Sequence, residues 1–538
     1  MNYIHKKQTP INIETMKNDR IQYEVETSKE GIPTLSIERN GIKSYFHSRV
    51  APSRDARIFD QQFFPEKYDT LVMLGLGLGY HLTPLRDIAG QFRAIIIIDI
   101  IEGIHRELAP NPLTSFLSGT DNITILTGMK PEEVIKYLEQ ALDVSSMKGI
   151  QVLAHPQFAR IFPEYCNAVK TGIDSLLTKK AGNAATKRAF GLRFLKNALK
   201  SLPLIPQCFP ASDLKDACSG LPAVIITSGP SLEPLLPGLL EMQKNVIIIA
   251  ADSALPVLVR SGITPDITVS IDPQPYIREH YMRSPLRPGL HIVTPTSDIS
   301  AFGNGGCVLS LNSHPFSQLI DELFPDITGS VDSSTGTVAG DAIQTGLYLG
   351  CSPVAVLGFD FSFPRMKIYA RGTAYQDRYA LFFQDRFKPV ETRNMDYIRT
   401  SSGALREQGR FTRKSFLQYR NAIGQLLRQQ PGTTVYNLGA GGLPVEGVPG
   451  ISLEDFSGRY CPAALRKDAL LNISASRSNT LREKIDFTML KSALKDPVVF
   501  ERLMEASGVN LRNKTYRDTL QQMVNIITAK NKKQGDHT

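Results

Sequence analysis

The chain has 538 residues, 42% of them hydrophobic and 21% charged, which is too long for one ordinary core. It is apolar enough to build two to four domains without metal or disulfide staples. The net charge of +9 comes from basic residues spread along the chain, which argues against nucleic-acid binding and leaves a general attraction for anionic ligands. Six cysteines, at 166, 208, 218, 307, 351 and 461, form no CxxC pair and lie near no histidine cluster, so neither a metal site nor a disulfide framework is expected. Reduced thiols in a cytoplasm are the simplest setting. The opening MNYIHKKQTP leads into polar sequence rather than a secretion signal. No apolar run approaches the ~18–20 residues that span a bilayer, so no membrane insertion is expected.

Residues 1–66 read as short strands and turns, with IQYEV and TLSIERNG turning at Asn40-Gly41. From 70 the pattern changes to an apolar strand, a glycine-rich turn and a helix start (TLVMLGLGLGYHLTPL), then the buried strand RAIIIIDI, NITIL, a helix at 131–142 and the strand IQVLAH. Such alternation predicts a parallel sheet. This first α/β domain is expected to span 1–175. One or two helices follow at 170–200, and Pro203, Pro206 and Pro210 make 201–221 a connector.

A second α/β run begins at 222 with the strands AVIIT, NVIIIA, DITVSI, HIVT, CVLSL, PVAVLGF and TVYNLG. After about 460 strands give way to amphipathic helices and a polar tail, KNKKQGDHT. The expected architecture is α/β: two Rossmann-like parallel-sheet domains (1–175 and 176–458) followed by a helical C-terminal region (459–538).

Two glycine clusters could hold a ligand. Gly75-x-Gly77-x-Gly79 follows a strand, with Asp99 or Glu102 as its acidic partner about 20 residues on. Its spacing is that of a methyltransferase more than of a strict dinucleotide site, but no further methyltransferase motif follows. A tight strand-to-helix turn with no ligand is the plainer reading. Ser228-Gly229-Pro230-Ser231-Leu232 follows AVIIT and places backbone N–H groups at a helix start, where an anion is favoured. Ser231 can cap that helix or donate to a phosphate.

The second cluster has company. Asp252-Ser253 ends the next strand, 23 residues beyond Gly229; Asp272 ends the one after; Gly358 and Asp360 end a later one, with Tyr369, Arg371 and Tyr375 beyond. Asp332-Ser333-Ser334-Thr335-Gly336-Thr337 precedes a helix and offers hydroxyl and N–H donors. Any one aspartate could be a helix cap. Four such positions on the carboxyl edge of one sheet favour a binding site.

The segments SGPSL, AADSALPVLVRSGITPDITVSID, SSTGTVAGDAIQTGLYLGCSPVAVLGFDFSF and VYNLGAGGLPVEGV, in that order, resemble the signatures of motility-associated factor (Maf) glycosyltransferases over about 222–455. The central part is similar to bacterial sialyltransferases and to 6-hydroxymethylpterin diphosphokinase-like proteins. The resemblance implies transfer of a nonulosonic acid of pseudaminic or legionaminic type, from its CMP-activated form, to Ser or Thr hydroxyls of flagellin, in the cytoplasm and in support of motility. It implies that Gly229, Pro230, Ser231 and Leu232 line the nucleotide pocket. Asp252 and Asp272 would sit near CMP or the acceptor, and the loop after Asp360 would cover the donor sugar. On the residues themselves, Ser253, Ser334 and Thr335 are further ligand-binding positions, and Tyr369 and Tyr375 are candidates to serve the departing phosphate.

A sialyltransferase-type histidine after the G-F-D-F segment is missing, since no histidine lies between 315 and 536. A base would come from His314, His291, His280 or a carboxylate such as Asp360 or Asp272. Carboxylates are present but no DxD triplet stands out, so divalent-metal dependence is not assigned; the sequence does not state the oligomeric state either. Pyrophosphoryl transfer, a non-catalytic flagellin-binding role and a methyltransferase activity are the competing readings.

Overall fold

The computed structural model describes residues 21–529, apart from 60, 143–146, 285–288, 299–305, 381–383, 402–404, 431, 440, 476–479 and 510–512. The polar tail expected at 530–538 lies outside the described residues. The chain forms two compact units, Met1–Thr186 and Lys187–Thr538.

The first unit opens with an antiparallel three-stranded sheet, β1 (Ile21–Thr27), β2 (Pro33–Arg39) and β3 (Ile42–Tyr45). Asn40 and Gly41 join β2 to β3 with φ of 52° and 80°, the left-handed pair that a two-residue hairpin requires. A parallel sheet follows, made of β4 (Thr70–Leu74), β5 (Ala94–Asp99), β6 (Ile123–Thr127) and β7 (Ile150–Ala154) in the order β6-β5-β4-β7. β4 is buried throughout and β5 at every residue after its first, as a sheet covered on both faces demands. The helix after β6 is Pro131–Ala141. The basic segment near 170–200 is one helix, Pro163–Ser201.

The second unit is built on eight parallel strands: β8 (Phe209–Pro210), β9 (Ala223–Ile226), β10 (Ile247–Ala251), β11 (Ile267–Ser270), β12 (Leu290–Val293), β13 (Cys307–Leu309), β14 (Val354–Leu357) and, after two short hairpins, β19 (Val435–Asn437). The hairpins pair Gln384–Asp385 with Lys388–Pro389 (β15, β16) and Arg406–Glu407 with Arg410–Phe411 (β17, β18). The sheet order is β19-β14-β9-β10-β11-β12-β13-β8. The chain therefore turns back at β9, which lies between β14 and β10, and a crevice at such a switch point is where open α/β sheets hold ligands. The segment read as a proline connector supplies edge strand β8.

The helices after 458 extend this unit. Leu481, Leu490, Phe500, Leu503 and Leu520 share one core with Leu195, Leu199 and Phe316. The fold is thus the expected α/β class, with two parallel sheets and a helical C-terminal region. Among the described residues no helix is long and apolar enough to cross a membrane.

Candidate functional site

The two glycine clusters have different fates. In the first, Gly75, Gly77 and Gly79 all take positive φ, and their surroundings leave no room for a side chain. The Phe158 side chain closes on Gly75, and Phe46 and His47 close on Gly77. Asp99 accepts hydrogen bonds from Leu76 N (2.8 Å), Gly77 N (3.1 Å) and Ile101 N (2.9 Å). His47 Nε2 accepts from Leu78 N at 2.9 Å. The donors that would hold a phosphate or ribose are thus taken by the protein's own groups. Burial raises the Asp99 carboxyl to about 6 while those N–H bonds oppose the rise, so the acid acts as an internal ligand of the loop.

Among the described residues, His47, Asp55 and His155 are the group that could hold a metal ion. Both nitrogens of His47 are already engaged, Nε2 by Leu78 N and Nδ1 by Asp55 Oδ2 at 2.6 Å. The histidines here brace the loop. Burial holds His155 near 3 and pushes His81 well down, so both rings are neutral at pH 7.

The second cluster sits at the switch point, on the carboxyl edge of β14, β9, β10 and β11. Gly229 is needed for space: its φ is an ordinary −68°, but a Cβ there would lie 2.1 Å from Gly358 O and 2.4 Å from Asp360 Oδ2. That contact lets Asp360 reach across and accept from Ser231 N at 3.0 Å. Phe361, immediately after, is held at φ 46°, a strained position for a non-glycine residue of the kind that gathers at functional sites. Asp360 is buried, which raises its carboxyl, and its bond to Ser231 partly offsets the rise. Ser231 Oγ faces the same carboxylate without completing a hydrogen bond of normal geometry.

The neighbouring strand ends bring in the other acids. Asp252, buried after β10, accepts from Ser270 Oγ at 2.7 Å. Asp272, just past β11, accepts from Gln274 N at 2.8 Å. Burial raises the Asp272 carboxyl; the nearby Asp252 carboxylate adds to the rise and the nearby His280 opposes it. His280 Nδ1 is buried with no hydrogen-bond partner among the described residues. Ser228 Oγ and Ser253 Oγ are 2.9 Å apart, which joins the ends of β9 and β10.

The chain beyond Asp360 folds over this edge. Ala370 N donates to Ser228 O at 2.8 Å, and Thr412 Oγ1 donates to Phe361 O at 2.7 Å. Glu233, two residues past Ser231, ties the insertion down through Lys367 Nζ (2.6 Å) and Arg371 N (2.7 Å). Tyr369 packs with Tyr375, Tyr397 and Phe416, and burial raises its phenol.

Five expected residues are placed elsewhere or otherwise. Leu232 is fully buried in the apolar core with Val224, Ile226 and Leu239, so it packs the loop rather than lining a pocket. His314 lies past β13, three strands or about 14 Å from β10. It caps the helix Pro315–Leu323, its Nδ1 accepting from Phe316 N. His291, weighed as a base, is buried on β12 against the Tyr281 ring. Ser334 and Thr335 lie in a loop that binds itself: Ser334 N donates to Asp332 Oδ1, Thr335 Oγ1 pairs with Ser333 Oγ, and buried Asp341 accepts from Ser333 N and Oγ.

Sequence reading missed Ser270, Glu233 and Arg413. Arg413 Nη1 donates to Tyr397 Oη at 3.1 Å, and its guanidinium lies 4.1 Å over the Phe416 ring. Nothing in the local pattern around R-F-T-R marks it.

The second unit is thus an open parallel α/β fold with acidic strand ends gathered on its carboxyl edge beneath an insertion, the edge at which such sheets hold ligands. Residues 196–366 match the family described as 6-hydroxymethylpterin diphosphokinase MptE-like. The structure is similar to that of a Maf glycosyltransferase from Magnetospirillum magneticum AMB-1, with a TM-score of 0.55 over 96% of this chain and 92% of that one at 15% identity. The chain therefore has the Maf glycosyltransferase fold with an MptE-like central segment. It is also 25% identical over 214 residues to an uncharacterized protein of Treponema pallidum (strain Nichols), covering 39% of this chain and 70% of that one.

Proposed function

We propose that the chain is a glycosyltransferase that takes its sugar from a nucleotide-activated donor held at the carboxyl edge of the second unit. The observation that carries this reading is the Gly229–Ser231 loop closed on Asp360 at the switch point, in a fold shared end to end with a Maf glycosyltransferase. The donor is a CMP-activated nonulosonic acid, and the acceptors are Ser or Thr hydroxyls of flagellin in the cytoplasm.

The residues suit that chemistry. Departure of a nucleoside phosphate from the anomeric carbon leaves an oxocarbenium-like centre, and the acceptor hydroxyl must lose a proton. Asp272 with His280 is the pair we assign to that proton, since burial holds the carboxyl above its usual range and His280 is close enough to act on its charge. Asp360 is committed to Ser231 N and keeps the loop in shape.

Intact-mass measurement of flagellin made with and without the protein tests the reading. A mass increase of one sugar is expected, and an unchanged mass sinks it. The MptE-like match favours one alternative, transfer of pyrophosphate from ATP to a small alcohol. Release of CMP from a CMP-sugar supports the first reading, and release of AMP from ATP the second.

A further inference from the structure

Five basic groups around the insertion have a carboxylate partner. Lys367 meets Glu233 at 2.6 Å, Arg378 meets Glu279 at 2.7 Å, Arg283 meets Asp377 at 3.1 Å, Arg420 meets Glu407 at 2.6 Å, and Arg260 bonds Asp377 as well. Arg413 is different. Its contacts are the neutral Tyr397 hydroxyl and the Phe416 ring, and no carboxylate among the described residues lies within ion-pair distance. Its Nε is inaccessible to solvent and has no hydrogen-bond partner. A guanidinium always carries its charge, so leaving it half-buried without an anion is costly unless an anion arrives.

The backbone places Arg413 at the crevice. Thr412, the preceding residue, is bonded to Phe361, the residue after Asp360. The Arg413 charge acts on the Tyr369 phenol, which also senses Asp272. Tyr369 in turn precedes Ala370, which is bonded to Ser228 in the glycine loop. The arginine thus closes the ring of groups that starts at the strand ends and is held in place by aromatic faces rather than by a counter-charge.

We propose that Arg413 is the anion-binding residue of the crevice and receives an oxyanion of the substrate, a sugar carboxylate or a nucleotide phosphate, as an N–H fork. The carboxylate and phosphate chemistries are alike to a guanidinium, since both present two oxygens at the spacing of its donors. The assignment rests on the donor reading above, and the arms of its test separate the two.

Isothermal titration of the full chain and of its Arg413→Gln variant with three probes reads the site: CMP, free N-acetylneuraminic acid, and CMP-N-acetylneuraminic acid. Arg413→Gln keeps a donor for Tyr397 while removing the charge; Arg413→Lys restores charge without the fork, and thermal melting confirms that both variants fold. Loss of about tenfold to a hundredfold in affinity is expected for every probe carrying the recognised oxyanion, with partial recovery in Arg413→Lys. A loss confined to the sugar acid and CMP-sugar assigns the carboxylate, and a loss with CMP as well assigns the phosphate. Folded Arg413→Gln that binds every probe as the wild type does overturns the proposal while leaving the donor reading standing. Arg413-dependent binding of the free acid with no gain from the cytidine nucleotide keeps the anion site and sinks the donor reading. A wild-type chain that takes none of the probes overturns both.

Discussion

At residue scale the site depends on close approaches that a single methyl group disrupts. Gly229→Ala forces its Cβ into Gly358 O and the Asp360 carboxylate, so the Asp360–Ser231 bond must open. The expected outcome is a loss of about 1–3 kcal/mol in stability, together with weakened CMP binding, read by chemical denaturation and titration calorimetry. Asp341 gives a pH signature. Its carboxyl is raised to about 7, chiefly by burial, from an unfolded value near 3.8. A raised folded value favours the protonated form, so its stabilising effect is complete below about pH 4 and is lost as pH rises through 7. Asp341→Asn keeps the size and removes the charge. Its stability relative to wild type should rise between pH 4.5 and 7.5 in thermal melts, and a pH-independent difference would count against the buried-acid account.

At the scale of elements, the first glycine loop is stable because its donors are satisfied from inside. Asp99→Ala removes the acceptor of Leu76 N, Gly77 N and Ile101 N, so a destabilisation of about 2–4 kcal/mol is expected by denaturant titration. S-adenosylmethionine should produce no thermal shift in the wild type, and a saturable shift would show that the loop opens for a ligand. The strands were legible in the sequence because β4, β5, β9 and β10 are buried on both faces and read as continuous apolar runs. The two-residue strands β8 and β15 to β18 carry no such run and were not legible. Strand-end acids at 252, 272 and 360 could be found by position alone. That Asp360 serves Ser231 N, 129 residues away, could not, because the contact depends on how the sheet is ordered. His314 and Leu232 show the same limit: one is a helix cap and the other core, and only packing tells them from site residues.

At the scale of the whole molecule, each unit carries its own hydrophobic core. One is centred on β4 and β5, and the others lie on the two faces of the eight-stranded sheet. Differential scanning calorimetry should resolve two transitions, with Asp99→Ala lowering one and Gly229→Ala lowering the other. A single transition shifted equally by both variants would show that the units unfold together.

The bond from Leu481 N to Cys208 O and the ion pair of Lys484 with Asp213 join the start of the second unit to a segment more than 270 residues later. Edge strand β8 is bordered by β13, a strand made about 100 residues after it, and the far edge is β19. On a ribosome adding ~5–20 residues per second, the first unit has all its strands once residue 154 has emerged. The second waits many seconds longer with its early strands exposed. That interval lasts at least until the segment around Leu481 and Lys484 has emerged to close on Cys208 and Asp213.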